Sequence, residues 1–405
     1  MSPLLKRSMA SLLGLLLAVG SLEGALRLHE RLWPRESAGV QFSAPDPELG
    51  WRNAPGARGL FRARDYTSAV RINALGLRGG PVLPGPPDQT VRILFLGDSA
   101  TAGFEVEERD TFAARVQAAL NACGGGAPAY EAINAGVRGY GTDQALLYYE
   151  RHGKKLGAAL VVHAMVHNDL FENTQAAGLG GYYPKPRFQL EGGRLALDPP
   201  SSSALTQALG GPLPRAARYL RQRSRLAGWA APRLQGAQDG PPEWVREIAP
   251  EYLSPRPEEK LEARGALFRA LLSRMKESVH AEKAKFLFLT FPAHWELSPE
   301  AARRAMGPAL PPGARLEPGA FHATYLLLAS SLRLSALETL PAFRRGAGPG
   351  KRLYVPDGHL SPEGHALMAE LIFRRIVEGE LLPLPPGGRE RCLQRLASAR
   401  PREAS

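Results

Sequence analysis

The feature that most constrains this chain is an alternation. Val91-Arg92-Ile93-Leu94-Phe95-Leu96 is a short apolar run stopped by Gly97, the pattern of a strand buried on both faces. A helical stretch follows from Thr111 to Asn121, then a strand-like run from Tyr130 to Asn134 and a Gly-rich turn. A helix from about Asp143 to Lys155 and a third strand from Ala159 to Val166 come next. Strands that take turns with helices pair in parallel through crossovers, under helical cover on both faces. The expectation is a three-layer α/β/α fold with a parallel sheet.

The alternation then breaks. Residues 171 to about 255 are rich in Gly, Pro, Ser and Arg and show only short helical pieces such as Ala216 to Trp229, which reads as an insertion. Periodicity returns from Glu258 to Val279, where Leu261, Leu267, Leu271, Leu272 and Met275 mark one helical face. A strand from Phe286 to Thr290, a helix from Tyr325 to Leu332, a weak strand from Leu334 to Leu337 and a closing amphipathic helix from Pro362 to Glu378 complete the pattern. Residues 28–90 are Pro- and Gly-rich, with little periodicity outside Val70-Arg71-Ile72, and read as an arm. The expected division is an N-terminal signal or anchor over 1–27, the arm over 28–90, one α/β domain over 91–380 and a tail over 381–405. The length, 405 residues, suits one large decorated domain or two smaller ones.

Composition removes several classes. With 44% hydrophobic and 22% charged residues, the chain is not disordered throughout. Its 43 Gly and 36 Pro lack the three-residue period of collagen. Two cysteines, Cys123 and Cys392, exclude a zinc ribbon and a disulfide-dense scaffold. The net charge of +12 would suit an anionic partner, yet an Arg-rich solvated surface explains it as well. The solvated surface is the preferred reading, and no nucleic-acid partner is expected.

The N-terminus points outward. Lys6 and Arg7 precede an uncharged, Leu- and Ala-rich stretch from Ser8 to Leu22, the charged and apolar regions of an export signal. Glu23 and Arg27 interrupt what would otherwise be a full membrane span. The segment is either cleaved after Gly20 or retained. No clean small-x-small site precedes a polar start, so an anchor with the rest of the chain outside is the expectation.

Chemistry gathers at four places. Gly97-Asp98-Ser99 ends the first strand, where doubly wound sheets keep their ligand sites; Ser99 is a candidate nucleophile or a helix cap. The segment is neither a G-x-S-x-G elbow nor a phosphate loop. Asn134-Ala135-Gly136-Val137-Arg138-Gly139-Tyr140-Gly141 ends the second strand with glycines that bring backbone N–H groups close to a ligand, or that simply turn the chain. His167-Asn168-Asp169 ends the third, with Asn168 a possible amide donor or a plain cap. Asp357-Gly358-His359-Leu360-Ser361-Pro362-Glu363-Gly364-His365 presents a carboxylate and two imidazoles just before the last helix.

Taken in order, these four segments resemble the sequence blocks of the SGNH (GDSL-like) hydrolase family, over about 91–170 and 283–380. The resemblance implies a flavodoxin-like fold and serine-dependent hydrolysis of carboxylic esters, with O-acyl transfer to an envelope polysaccharide as the alternative. It implies Ser99 as nucleophile, His359 as base and Asp357 as the group orienting it. The N–H of Ser99, that of Gly139 and the side chain of Asn168 are implied as the oxyanion hole. A carbohydrate-binding protein with a dead site would lack one of these residues, and none is missing. Many family members space the last pair as Asp-x-x-His, whereas here it is Asp-x-His, as in some membrane-associated polysaccharide acetylation relatives. That leaves His365 as a rival to His359. His167 also stands where a neutral residue is usual.

No cofactor is expected, and His163, His167 and His294 lack metal-ligand spacing. The expected partner is an ester-bearing small molecule, lipid or acylated glycan. In a flavodoxin-like sheet the helices near Cys123 and Cys392 are neighbours, so the two pair in an oxidising compartment or are unrelated thiols.

Overall fold

A computed structural model describes residues 3–32, 42–63, 66–178, 183–199, 243–254, 258–307 and 315–398 except 349, together with 310 and 313. The short helical piece expected from Ala216 to Trp229 lies outside the described residues. Helix α1 spans Pro3–Leu32. The hairpins β1 (Ser43–Asp46) with β2 (Gly50–Asn53) and β3 (Arg58–Arg62) with β4 (Thr67–Arg71) follow.

The alternating segment then runs as expected: β5 (Thr90–Gly97), α2 (Ser99–Ala102), α3 (Phe112–Gly124), β6 (Ala129–Asn134), α4 (Thr142–Arg151) and β7 (Leu160–Met165). The insertion contributes the hairpin β8 (Arg187–Glu191) with β9 (Arg194–Asp198). The second half supplies α5 (Glu258–Ala281), β10 (Lys285–Thr290), α6 (Ala320–Ser331), β11 (Ser335–Leu337), α7 (Pro362–Glu378) and α8 (Gly388–Ser398). The five strands form one parallel sheet in the order β11-β10-β7-β5-β6.

Strand periodicity explains the three layers. Leu94, Leu96, Val161 and Phe288 join one core with α4, α5 and α6, while Ile93, Phe95, Val162 and Leu289 join another with α3, α7 and α8. Successive side chains point to opposite faces, so each strand feeds both cores. Each fully buried Leu, Ile or Phe contributes about 1.5–3 kcal/mol, which is why these runs carry almost no polar residue.

The segments read as arm and tail are built into the domain. Phe61, Val70 and Ile72 of the arm share a core with Ala102 and Phe104 beside α2. Buried Arg78 donates to the carbonyls of Ala102, Gly103 and Val106, and Asn53 Nδ2 donates to Gly136 O at 3.0 Å. The tail carries α8, whose Cys392 is bonded to Cys123 in the last turn of α3. Among the described residues no helix is long and apolar enough to cross a membrane.

Candidate active site

β5 delivers Ser99 to the C-terminal end of the sheet. Asp98 takes the capping role, its Oδ1 accepting the Ala100 N–H at 2.8 Å. Ser99 Oγ is left 2.9 Å from His359 Nε2 and 3.2 Å from Asp98 Oδ2.

His359 comes from a tight turn. Tyr354 and Leu360 pair across it, the Val355 N–H donates to His359 O and the Gly358 N–H to Val355 O, both at 2.9 Å. Gly358 sits at φ +91°, where a side chain is strained, and a Cβ there would come within 2.9 Å of His294 Nδ1. The turn folds Asp357 back on its neighbour: Oδ1 accepts the His359 N–H at 3.1 Å and lies 3.0 Å from Nδ1. A side-chain-to-backbone turn of this kind needs one intervening residue, and that is the physical meaning of the Asp-x-His spacing. A carboxylate only accepts, so the Nδ1 proton faces Asp357 and Nε2 is bare toward Ser99.

Three residues without a role in the sequence reading complete the surroundings. Tyr66, beside the β3–β4 hairpin, donates its hydroxyl to Asp357 Oδ2 at 2.9 Å. Glu105, fully buried, holds Arg138 Nη1 at 2.6 Å and lies 3.7 Å from His359 Nδ1. Arg138 stands inside the Gly-rich string, and Glu105 opens a charged run, Glu105-Val106-Glu107-Glu108-Arg109-Asp110, in which nothing local sets it apart. Nothing local marked Tyr66.

Electrostatics follow from these contacts. Burial pushes the Asp357 carboxyl up, but the hydrogen bonds and charge of His359, with the Tyr66 hydroxyl, outweigh it and hold the group well below the usual carboxylate range. Burial pulls His359 down, yet the charge of Glu105 and the hydrogen bond and charge of Asp357 prevail over Arg138 and leave it raised above 6.5. Burial also raises Tyr66, which stays protonated and donating.

The rival histidine is elsewhere. His365 lies inside α7, buried, stacked on Phe112 at 5.7 Å, with Nδ1 accepting the Phe112 N–H at 3.2 Å. Burial, then Arg78 and Arg115, lower it to about 3. It is a neutral structural group. His167 packs edge-on against Trp295 at 4.6 Å and is lowered to about 3, chiefly by burial. His163 meets Thr142 Oγ1 at 3.2 Å and is lowered to about 4 by burial.

The remaining candidates lie on loops tied to α2. β6 and β7 flank β5, so all three loops open at one end of the sheet. Asn134 Nδ2 donates to Thr101 O at 2.8 Å and the Val137 N–H to Gly97 O at 3.1 Å. Gly136 is pressed so close to α2 that a Cβ would collide with Ala102 N and Thr101. Gly139 follows in the same loop. Asn168 follows β7, and its carbonyl accepts the Phe171 and Glu172 N–H groups. Among the described residues the N–H groups of Ser99 and Gly139 and the Asn168 side chain donate no hydrogen bond. As for cations, Glu105, Asp357 and His359 offer ligand-type atoms within 4.8 Å of one another, but those atoms already engage Arg138 and the imidazole proton.

No family model and no curated protein matches the chain. Among solved structures it is similar to TesA (16% identity, 72% of this chain and 99% of that chain, TM-score 0.38). It is also similar to a lipase/acylhydrolase from Enterococcus faecalis (16%, 73% and 99%, TM-score 0.38). A third is a catalytic mutant of Axe2, an acetylxylan esterase from Geobacillus stearothermophilus (15%, 71% and 94%, TM-score 0.38).

Proposed function

We propose that this chain is a serine-dependent carboxylic ester hydrolase of the SGNH type. One observation carries the reading: Ser99 Oγ, His359 and Asp357 form a continuous chain of contacts at 2.9 and 3.0 Å, a nucleophile, a base and an orienting group. His359 Nε2 takes the Ser99 proton as Oγ attacks the ester carbonyl. The N–H groups of Ser99 and Gly139 and the Asn168 amide stabilise the oxyanion, each such donor being worth several kcal/mol. The imidazolium gives its proton to the departing alcohol, and water, activated by the same imidazole, releases the acid. A sugar hydroxyl in place of that water makes the same site an acyltransferase.

The substrate is an ester of a small molecule, lipid or acylated glycan, met outside the cytoplasm. Export is supported by Lys6, Arg7 and the apolar run to Leu22, and by the Cys123–Cys392 bond, which persists in oxidising compartments. Exposed Leu13, Leu17 and Leu22 on α1 favour retention at the membrane surface.

The test is release of p-nitrophenol and acetate from short esters and acetylated sugars, with and without an acceptor glycan, paired with fluorophosphonate labelling. Label on Ser99 and acceptor-independent release are expected. Label on another serine overturns the mechanism, and release only with acceptor makes the chain a transferase. Cell fractionation addresses export: full-length chain in the cytosol without membrane association overturns it.

A further inference from the structure

His359 faces a second carboxylate besides Asp357. Glu105 sits between Phe104 and Val106, both buried, and its own side chain has no exposure. A buried carboxylate is costly unless paired. Oε1 is paired, with Arg138 Nη1 at 2.6 Å, and the guanidinium is held over the Phe61 and Phe104 rings at 5.1 and 5.8 Å. Oε2 is buried with no hydrogen-bond partner. The nearest cationic group besides Arg138 is the one His359 becomes, with Nδ1 at 3.7 Å from Oε1.

We propose that Glu105 is a positioning residue for the reaction, a buried carboxylate that works beside Asp357 to stabilise the cationic form of His359. The proposal rests on reading His359 as the base. Two carboxylates share one nitrogen but not one environment. Asp357 is nearer, at 3.0 Å, yet its side chain is 40% exposed, where water weakens its field. Glu105 is farther but dry, and Arg138 both fixes it and offsets part of its charge.

Among the other groups around His359, Asp98 is a further buried carboxylate, and its charge reaches the ring from the Ser99 side rather than at Nδ1. Ser99 Oγ meets Nε2, and Tyr66 binds the far oxygen of Asp357. His294 lies against Gly358, while His167 and His365 are held neutral by burial. Losing Asp357 therefore leaves His359 Nδ1 a carboxylate neighbour in Glu105, and losing both leaves that nitrogen without one.

The experiment follows the His359 ring by NMR titration in full-length Ser99→Ala protein, where no turnover is needed, alone and with Glu105→Gln, Glu105→Asp or Asp357→Asn added. Glu105→Gln is expected to lower the His359 midpoint by about half a pH unit or more, and Glu105→Asp to restore most of it. Glu105→Gln and Asp357→Asn combined should lower it further than either alone. In protein that keeps Ser99, Glu105→Gln should move the acid limb of kcat/KM by a similar amount with KM little changed. Should the Glu105→Gln variant fail to fold because Arg138 is left unpaired, Glu105→Gln/Arg138→Met removes the pair, and a smaller fall is expected. An unchanged or raised midpoint in folded Glu105→Gln, or in Glu105→Gln/Arg138→Met where the single variant does not fold, overturns the proposal. Absence of ester hydrolysis in the wild type overturns the esterase reading alone, because the titration uses no substrate.

Discussion

A serine hydroxyl is a weak nucleophile near neutral pH until a base takes its proton, so Ser99 and His359 act as one unit. Ser99→Ala and His359→Ala should each nearly abolish ester turnover, and the double variant should lose no more than either single one. Asp357→Ala should cost less, since Asp357 orients the imidazole and Glu105 remains. Asn168→Ala should lower kcat by about 100- to 1000-fold with KM little changed, because its hydrogen bond is made to the oxyanion. Steady-state kinetics on p-nitrophenyl acetate read all five. The pH profile has a definite sign. His359 must be neutral to act, and its pKa is raised by Glu105 and Asp357 against burial, so activity should fall as pH drops through a midpoint above 6.5. A midpoint below 6.5 contradicts that electrostatic account.

At the scale of elements, the turn carrying Asp357 and His359 is held by Gly358. Gly358→Ala puts a Cβ at φ +91° and within 2.9 Å of His294, at about 1–3 kcal/mol of strain. The expected result is a loss of about tenfold or more in kcat with KM nearly kept, and a lower Tm by thermal melt; wild-type kinetics would mean that the turn tolerates a side chain. The turn also shows how far the sequence reaches. Asp357 and His359 were legible as a pair because their contact is local, and α7 was legible from Ser361-Pro362 at its start. The choice between His359 and His365 needed tertiary structure, since the imidazoles lie two and eight residues beyond the same carboxylate and burial separates them. Tyr66 and Glu105 reach the site across long sequence distances, and no local pattern records such a contact. The arm escaped as structure because hairpin strands of four and five residues, separated by turn residues, show too little periodicity to register.

At the scale of the molecule, two cores on opposite faces of one sheet must be held by a chain whose ends lie outside the alternating segment. The bond between Cys123 on α3 and Cys392 on α8 spans 269 residues and closes a loop from the end of α3 through β6, β7, β10, β11 and α7. In the chain-entropy treatment, closing so long a loop restricts the unfolded chain by about 5 kcal/mol, comparable to the total stability of many domains. Reduction, or Cys123→Ser with Cys392→Ser, should therefore lower the Tm strongly. Ester turnover well below the melting temperature should be nearly unchanged, since neither cysteine contacts Ser99, His359 or Asp357. The same bond bears on location. Protein recovered from outside the cytoplasm should carry no alkylatable thiol until reduced, and protein made in a reducing cytosol should carry two and melt lower. Two free thiols on unreduced, exported protein would remove the staple and the support that the bond lends to an oxidising compartment.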